Sequence, residues 1–142
     1  SDPDTHELAL IRSINLINTQ ACPVINHPEA IKKTRRELIY QNLNSVDGLV
    51  VPKTTRFSPA NPWDVKREID EHDFTYPVIF RKAGDHGGFS TSLINSEAEI
   101  EQTLYQYALN DSAFYLTQFV DYISSDNNYR KVRLIVVDGK AY

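Results

Sequence analysis

Hydrophobic residues near the start of the chain recur at the spacing of one face of a helix. These apolar positions lie three residues apart, at Leu8, Ile11, Ile14 and Ile17. Asp4 followed three residues later by Glu7 resembles a capping box, in which side chains at the helix start bond the backbone of the first turn. We therefore expect a first helix over about residues 5–18.

The next polar stretch predicts a longer helix with a basic first half. Asn26-His27-Pro28 supplies a capping residue and a proline for its first turn, and the helical pattern continues to about Leu43. At about 100° per residue, Arg35 projects between apolar residues and Arg36 lies on their flank. We expect one arginine to face inward, although a solvated basic helix with one internal ion pair explains the same pattern.

Several β-branched and apolar runs predict strands. They cover about residues 49–55, 76–81, 89–94, 113–120 and 129–137. Pro52 makes the first run an edge strand, or a strand through which the chain enters the sheet. The second and third runs are joined by the glycine-rich residues 84–88 and therefore predict a hairpin.

Two further helices are predicted between these strands. Asn61-Pro62 begins a surface helix with a thin apolar stripe, Val65 and Ile69. Ser96 and Glu99 form a capping box for another helix that ends near Asn110. From residue 76 onward the order is strand, turn, strand, helix, strand, strand. This order predicts an α+β fold, a small and mostly antiparallel sheet with helices packed on one face.

The amino-acid composition is typical of one globular unit. Of its 142 residues, 41% are hydrophobic and 24% charged, so the chain can build a core without a disulfide or a metal. Cys22 is the single cysteine, which excludes an intrachain disulfide and fits a reducing compartment. A net charge of −4 opposes a dedicated nucleic-acid domain. No signal peptide is visible and no apolar run approaches the ~20 residues that span a bilayer, so we expect a cytoplasmic location away from membranes.

Both ends of the sequence indicate a longer parent protein. The chain contains no methionine, even at position 1, so we expect it to have been processed or cut out of a longer chain. Asp138-Gly139 is its strongest two-residue hairpin signal, and only residues 140–142 remain for the returning strand. We expect this truncated hairpin and an uncovered subdomain face to permit self-association through an exposed strand edge.

Sequence motifs of common catalytic sites are absent. The chain has no G-x-x-x-x-G-K-[ST], no G-x-G-x-x-G, no H-E-x-x-H, no G-x-S-x-G and no pair of cysteines for zinc. The histidines have no metal-ligand spacing: His6, His27, His72 and His86. These absences disfavour mechanisms that depend on an activated nucleophilic side chain or on a metal ion bound by such motifs.

A candidate anion site lies in the predicted hairpin. Arg81 ends an apolar stretch, where a guanidinium usually finds an anion. The glycine-rich residues that follow, 84–88, offer backbone N–H groups that side chains do not obstruct. A phosphate could therefore lie between Arg81 and this turn. An ordinary hairpin whose glycines occupy positive-φ turn positions explains the same spacing, and spacing alone favours that alternative.

Two later segments carry further candidates. Residues 118–121 close an apolar strand, where backbone groups can pair with a base edge while Asp121 accepts from ribose hydroxyls. A turn-initiating aspartate at a strand end explains this pattern equally well. Arg133 alternates with Val132 and Leu134, so it faces away from them and is a candidate for the same site.

Five stretches, taken in order, resemble the ATP-grasp superfamily, the fold of glutathione synthetase, D-alanine ligases and ribosomal-protein glutamate ligases. Together they span about residues 22–142. The stretches are Val24-Ile-Asn-His-Pro28 with Thr34-Arg-Arg-Glu37, Gly48-Leu-Val-Val-Pro52, Tyr76-Pro-Val-Ile-Phe-Arg81 with Gly84 to Gly88, Thr117-Gln-Phe-Val-Asp121, and Tyr129 to Gly139.

This resemblance implies that ATP, with Mg²⁺, is held between two α+β subdomains. It implies a parent that is an ATP-dependent ligase, joining a carboxylate to an amine or thiol through an acyl phosphate. By position it assigns ATP-binding roles. Arg36 and Arg81 would contact the phosphates, and Arg133 the phosphates or the acyl substrate. The mobile loop would comprise Gly84, His86, Gly87, Gly88 and Ser90, the adenine hinge Gln118, Phe119 and Val120, and the ribose ligand would be Asp121.

The sequence departs from the family's pattern in two respects. Arginine stands at positions 36 and 81, where lysine is commoner, which replaces a point donor with a planar fork. Periodicity favours Arg35 over Arg36 as the inward arginine, and the choice stays open. The family's Mg²⁺ ligands would lie beyond Tyr142, so we expect this chain alone to be inactive and to bind ATP weakly.

The resemblance also implies a division of the chain. We expect residues 1–27 to be the tail of a preceding substrate-type domain and 28–75 to be the first part of the ATP-grasp region. Residues 76–142 would be the nucleotide-gripping subdomain. The alternative function is a non-catalytic ATP-grasp-like binding or scaffold module of a larger protein, and a plain interaction domain is a third. The sequence does not identify the carboxylate substrate or its acceptor.

Overall fold

The computed structural model describes residues 7–20, 24, 27–85, 88–107, 109, 112–137 and 139–142. Its helices are α1 (Glu7–Ile17), α2 (Pro28–Lys32), α3 (Arg36–Leu43), α4 (Pro62–Glu71) and α5 (Ile100–Leu104), the last preceded by a 3₁₀ turn at Glu97–Glu99. Its strands are β1 (Thr54–Phe57), β2 (Val78–Lys82), β3 (Thr91–Ile94), β4 (Phe114–Gln118), β5 (Val136–Val137) and β6 (Lys140–Ala141).

Four strands form one antiparallel sheet in the order β1-β4-β2-β3. The predicted hairpin is confirmed as β2 and β3, and β1 lies at the sheet edge, as Pro52 indicates. The register pairs Phe80 with Leu116 and Arg81 with Tyr115. Since side chains alternate along a strand, the two pairs lie on opposite faces of the sheet.

One face of the sheet carries the core. Phe80 and Phe114 stack there with ring centroids 4.6 Å apart. Helices α4 and α5 cover them with buried apolar residues: Val65, Ile69, Ile100 and Leu104. The Asn61 side chain caps α4 by accepting from the backbone N–H of Asp64 at 3.2 Å. The thin stripe of α4 therefore packs into the core, and the predicted mixture of helices with a small antiparallel sheet is confirmed.

The first predicted helix is confirmed as α1, but the predicted stripe is not its buried side, because Leu10 and Ile14 are buried whereas Leu8 and Ile11 are exposed. Its proposed cap, Asp4, lies outside the described residues. The second predicted helix, 28–43, is wrong as one element because it divides into α2 and α3. The Thr34 hydroxyl donates to the carbonyl oxygen of Ile31 at 2.7 Å, which ends α2. Arg35 then has ψ 144° and starts α3 afresh.

The helix predicted from Ser96 to near Asn110 is shorter, and its cap differs. Ser96 makes no side-chain cap bond, whereas the Glu99 carboxylate accepts from the backbone N–H of Asn95 at 2.8 Å. After Leu104 the backbone tightens into bonds between residues three apart. This turn carries the Tyr107 ring into edge contact with Phe80 at 5.3 Å. Core packing therefore ends the helix early.

Two predicted strands are also wrong in extent. Residues 49–53 are not in a strand, and the Lys53 ammonium there donates to the carbonyl oxygen of His72 at 2.7 Å. Of residues 129–137, only β5 is a strand, paired with β6 in a separate hairpin. A strand needs a partner, and this hairpin lies outside the four-stranded sheet. Gly139, with φ +73°, makes the turn that Asp138-Gly139 predicts, although Asp138 is outside the described residues.

No helix within the described ranges is long and apolar enough to cross a bilayer. The cytoplasmic location, the absence of nucleic-acid and membrane partners, and self-association through a strand edge stay predictions. The division at residues 27 and 75 also stays a prediction. Strand β1, from the second predicted region, pairs with β4 of the third.

Candidate functional site

The sheet face opposite the core brings together two rows of side chains. In one row, Thr54 of β1 and Ile79 of β2 both pair with Thr117 of β4. In the next row, Arg56 and Arg81 both pair with Tyr115. The rows are two residues apart along each strand and therefore about 7 Å apart on the same face.

An apolar cleft of about 420 Å³ lies at the first row. Strands β2 and β4 contribute to its lining, together with the segment before β1 and the segment that follows β4. It is lined by Val50, Pro52, Ile79, Thr117, Gln118, Phe119, Val120, Tyr122 and Tyr129. The predicted adenine hinge, residues 118–120, is therefore part of this cleft. A flat apolar group with a few polar edges suits such a lining.

The side chain of Gln118 joins the hinge to the segment that leads into β2. Its Oε1 accepts from the backbone N–H of Thr75 at 3.0 Å, and its Nε2 donates to the carbonyl oxygen of Thr75 at 2.8 Å. The backbone N–H of Gln118 also donates to the carbonyl oxygen of Lys53 at 2.8 Å. These bonds hold the hinge in place beside the cleft.

Asp121 directly follows the cleft residue Val120 and is hydrogen-bonded to the cleft residue Tyr129. Its Oδ1 accepts from the backbone N–H of Ile123 at 3.0 Å and from the Tyr129 hydroxyl at 3.1 Å. The Tyr122 and Tyr129 rings meet edge to face at 5.0 Å. Desolvation, and then the bond to Asp121, raise the pKa of Tyr129 above its ordinary value. A ribose hydroxyl at Asp121 would therefore share this carboxylate with Tyr129.

The glycine turn, residues 84–88, contacts Arg81 directly. The Arg81 Nη2 donates to the backbone carbonyl oxygen of Asp85. The Asp85 carboxylate accepts from the backbone N–H of Ser90 at 2.7 Å, which closes the turn. Gly84 and Gly88 have φ of +78° and +74°, as the ordinary-hairpin explanation expects. His86 and Gly87, both predicted site residues, lie outside the described residues.

None of the predicted basic residues lines the cleft: Arg81 lies one row further along the same face, and Arg36 and Arg133 lie elsewhere. Arg36 begins α3 and is exposed, whereas Arg35 is half-buried with its Nε fully buried. Periodicity was therefore correct that Arg35 is the more buried of the two, even though the helix is interrupted there. Arg133 is exposed, and neither Arg36 nor Arg133 lines the cleft.

Sequence reasoning missed several residues of this surface. Ile79 alternates with the core residues Val78 and Phe80, so strand periodicity could have assigned it to the opposite face. Nothing local marks Tyr122 and Tyr129 as cleft residues, since they follow β4 in an irregular segment. Arg56 lies just after the strand predicted over residues 49–55, so that prediction assigned its side chain to no sheet face.

Metal ligands are not clustered in the part of the chain that the structure describes. No three side chains of His, Cys, Asp or Glu come close enough there to hold an ion. We therefore assign no described residue to Mg²⁺.

No family model matches the chain. A curated relative is the coenzyme gamma-F420-2:alpha-L-glutamate ligase of Methanococcus maripaludis, which is 27% identical over 116 residues. The match covers 82% of this chain and 39% of the relative. The chain thus has a distant homologue that is a glutamate ligase, and it spans about two fifths of that protein's length.

Proposed function

We propose that this chain is the nucleotide-gripping part of an ATP-dependent ligase of the ATP-grasp type. One observation carries the proposal: on β2, Ile79 lines an apolar cleft while Arg81, two residues on and on the same face, contacts a glycine turn. An apolar pocket beside an arginine and a backbone-rich turn suits a ligand with a flat base and an anionic tail.

In this proposal the adenine lies in the cleft against Ile79 and Thr117. The polar edge of the base pairs with backbone groups of residues 118–120, which the Gln118 side chain holds in place. Stacking and exclusion of water by Tyr122 and Tyr129 add binding energy, since aromatic walls suit flat rings. The cleft therefore binds the base, and the neighbouring row of side chains, which contains Arg81, binds the phosphates.

Arg81 is the proposed phosphate ligand. A guanidinium has five donors in a planar fork, so one arginine can bond the turn and a phosphate together. Backbone N–H groups of the turn would add uncharged donors to the same oxygens. The distant glutamate ligase homologue supports a parent in which the terminal phosphate of ATP passes to a carboxylate, leaving ADP. An amine or thiol then attacks the acyl phosphate, forms an amide or thioester and releases inorganic phosphate. This chain supplies positioning and electrostatic stabilisation.

The test is titration of the protein, at its full natural length, with ATP in the presence of Mg²⁺. We expect Arg81→Ala to weaken ATP binding about 10- to 100-fold, the loss of one or two charge-assisted hydrogen bonds. Arg67→Ala is the matched control, because it removes the same charge from an exposed position on α4. Adenosine, which has no phosphate, should bind both variants like the wild type.

Two outcomes would overturn the proposal. The first is no measurable binding of ATP by the wild-type protein, and the second is equal ATP affinity of the wild type and Arg81→Ala. Binding of ATP without turnover of any carboxylate would support the binding-module alternative over the ligase.

A further inference from the structure

Arg56 occupies a position in β1 that mirrors that of Arg81 in β2. Both residues pair with Tyr115, one from each side of β4, so all three side chains lie on the same sheet face. We call them the arginine row. The two arginine Cα atoms are two strand spacings apart, about 10 Å. Only Arg81 stands beside glycines that mark it as an anion-site candidate in the sequence.

Tyr115 lies between Arg56 and Arg81 in the register of the sheet. It is 1% exposed, whereas Arg56 is exposed and Arg81 half-buried. A buried ring at the centre of a sheet cannot rotate away without disrupting its strand. The central residue of the row is therefore fixed by packing, and an arginine lies on the strand at either side of it.

The row lies next to the cleft in register. Thr54, Thr117 and Ile79 form the neighbouring row on the same three strands, and two of them line the cleft. A ligand whose base fills the cleft can therefore extend only about 7 Å along this face before its tail meets the arginines. Two like charges brought together on one face are favourable when an anion lies between them.

We infer that Arg56 is a second phosphate-binding arginine, which acts with Arg81 and makes the site prefer nucleotides with more phosphates. The inference rests on the proposed function. A triphosphate is long enough to bridge two cations on either side of Tyr115, whereas a monophosphate reaches only one. Arg56 therefore contributes little to AMP binding and much to ATP binding.

The experiment compares affinities for ATP and AMP in the full-length protein. Arg56→Ala should lower the ratio of ATP to AMP affinity about 10-fold, while Arg67→Ala should leave it unchanged. Arg56→Lys, which keeps the charge without the planar fork, should lie between Arg56→Ala and the wild type. Should the alanine variant fail to fold, Arg56→Gln answers the same question, because it removes the charge while it keeps a polar side chain with the first three side-chain carbons.

The outcomes separate this inference from the proposed function. The inference alone would be overturned if Arg81→Ala weakens ATP binding but Arg56→Ala leaves the ratio of ATP to AMP affinity unchanged. A uniform loss of affinity for both nucleotides would also overturn it, because that indicates a structural role for Arg56. An unchanged ratio with weaker binding of a carboxylate substrate would assign Arg56 to that carboxylate instead, and the inference would again be wrong.

Discussion

Arg81 donates from its Nη2 to the backbone carbonyl oxygen of Asp85, four residues further along the chain. The Asp85 carboxylate in turn accepts from the backbone N–H of Ser90 at 2.7 Å, and the Ser90 carbonyl oxygen accepts from the N–H of Lys82 at 3.1 Å. The strand and its turn are thus joined by a side chain as well as by backbone. An arginine already oriented in this way loses less entropy when it binds an anion.

The glycine turn can be tested by a pair of equivalent substitutions. Gly88 and Gly48 both have φ +74°, and an added Cβ would meet nothing within 4 Å at either. Gly88→Ala and Gly48→Ala should therefore each lower the free energy of unfolding by about 1–2 kcal/mol through backbone strain, measured by urea denaturation. Only Gly88→Ala should also weaken ATP binding, because only that change alters the turn beside Arg81. Equal loss of ATP affinity in both would contradict this role.

The cleft wall should respond to pH through Tyr129. Partial desolvation, and then the Asp121 carboxylate, favour the neutral phenol and raise the pKa of Tyr129 above its ordinary value. Because the folded-state pKa is the higher one, the stabilisation is complete below the unfolded value and is lost as pH rises through the folded value. Asp121→Asn should lower the pKa only in part, since desolvation, the larger cause, remains.

Absorbance of tyrosinate during alkaline titration measures this pKa. The difference between wild type and Tyr129→Phe isolates the signal of Tyr129 from those of the other tyrosines. A pKa that Asp121→Asn leaves unchanged would show that the hydroxyl does not bond Asp121 in solution.

Core packing around Phe80 should dominate the stability of the sheet. Its side chain is 0% exposed and contacts the rings of Phe57, Tyr107 and Phe114 at 6.2, 5.3 and 4.6 Å. Phe80→Ala should lower the free energy of unfolding by about 3–5 kcal/mol in urea denaturation. Phe89→Ala is the control, because Phe89 is 96% exposed and its loss should change stability by less than about 0.5 kcal/mol. Similar values for the two would mean that this core is not formed.

Local chemistry explains which elements could be predicted. Asn61-Pro62 starts α4 because a capping side chain and a preset φ act within one turn. The hairpin around residues 84–88 follows from glycines between two apolar runs. The single helix predicted over 28–43 was wrong at Thr34, whose hydroxyl donates to the carbonyl oxygen of Ile31. Helix propensity alone does not decide whether a threonine continues a helix or ends it in this way.

By itself, the sequence determined the hairpin with its glycine turn, the capped helix α4 and the resemblance of five stretches to one superfamily, because each depends on neighbouring residues or on their order. Only the tertiary structure decided that Arg56 and Arg81 flank Tyr115 in the sheet and that Tyr129 and Ile79 line one cleft. The physical reason is that strand order and register depend on packing between residues far apart in the chain. A pattern of polar and apolar positions indicates the face of each strand, and the buried surface then decides which strands are neighbours.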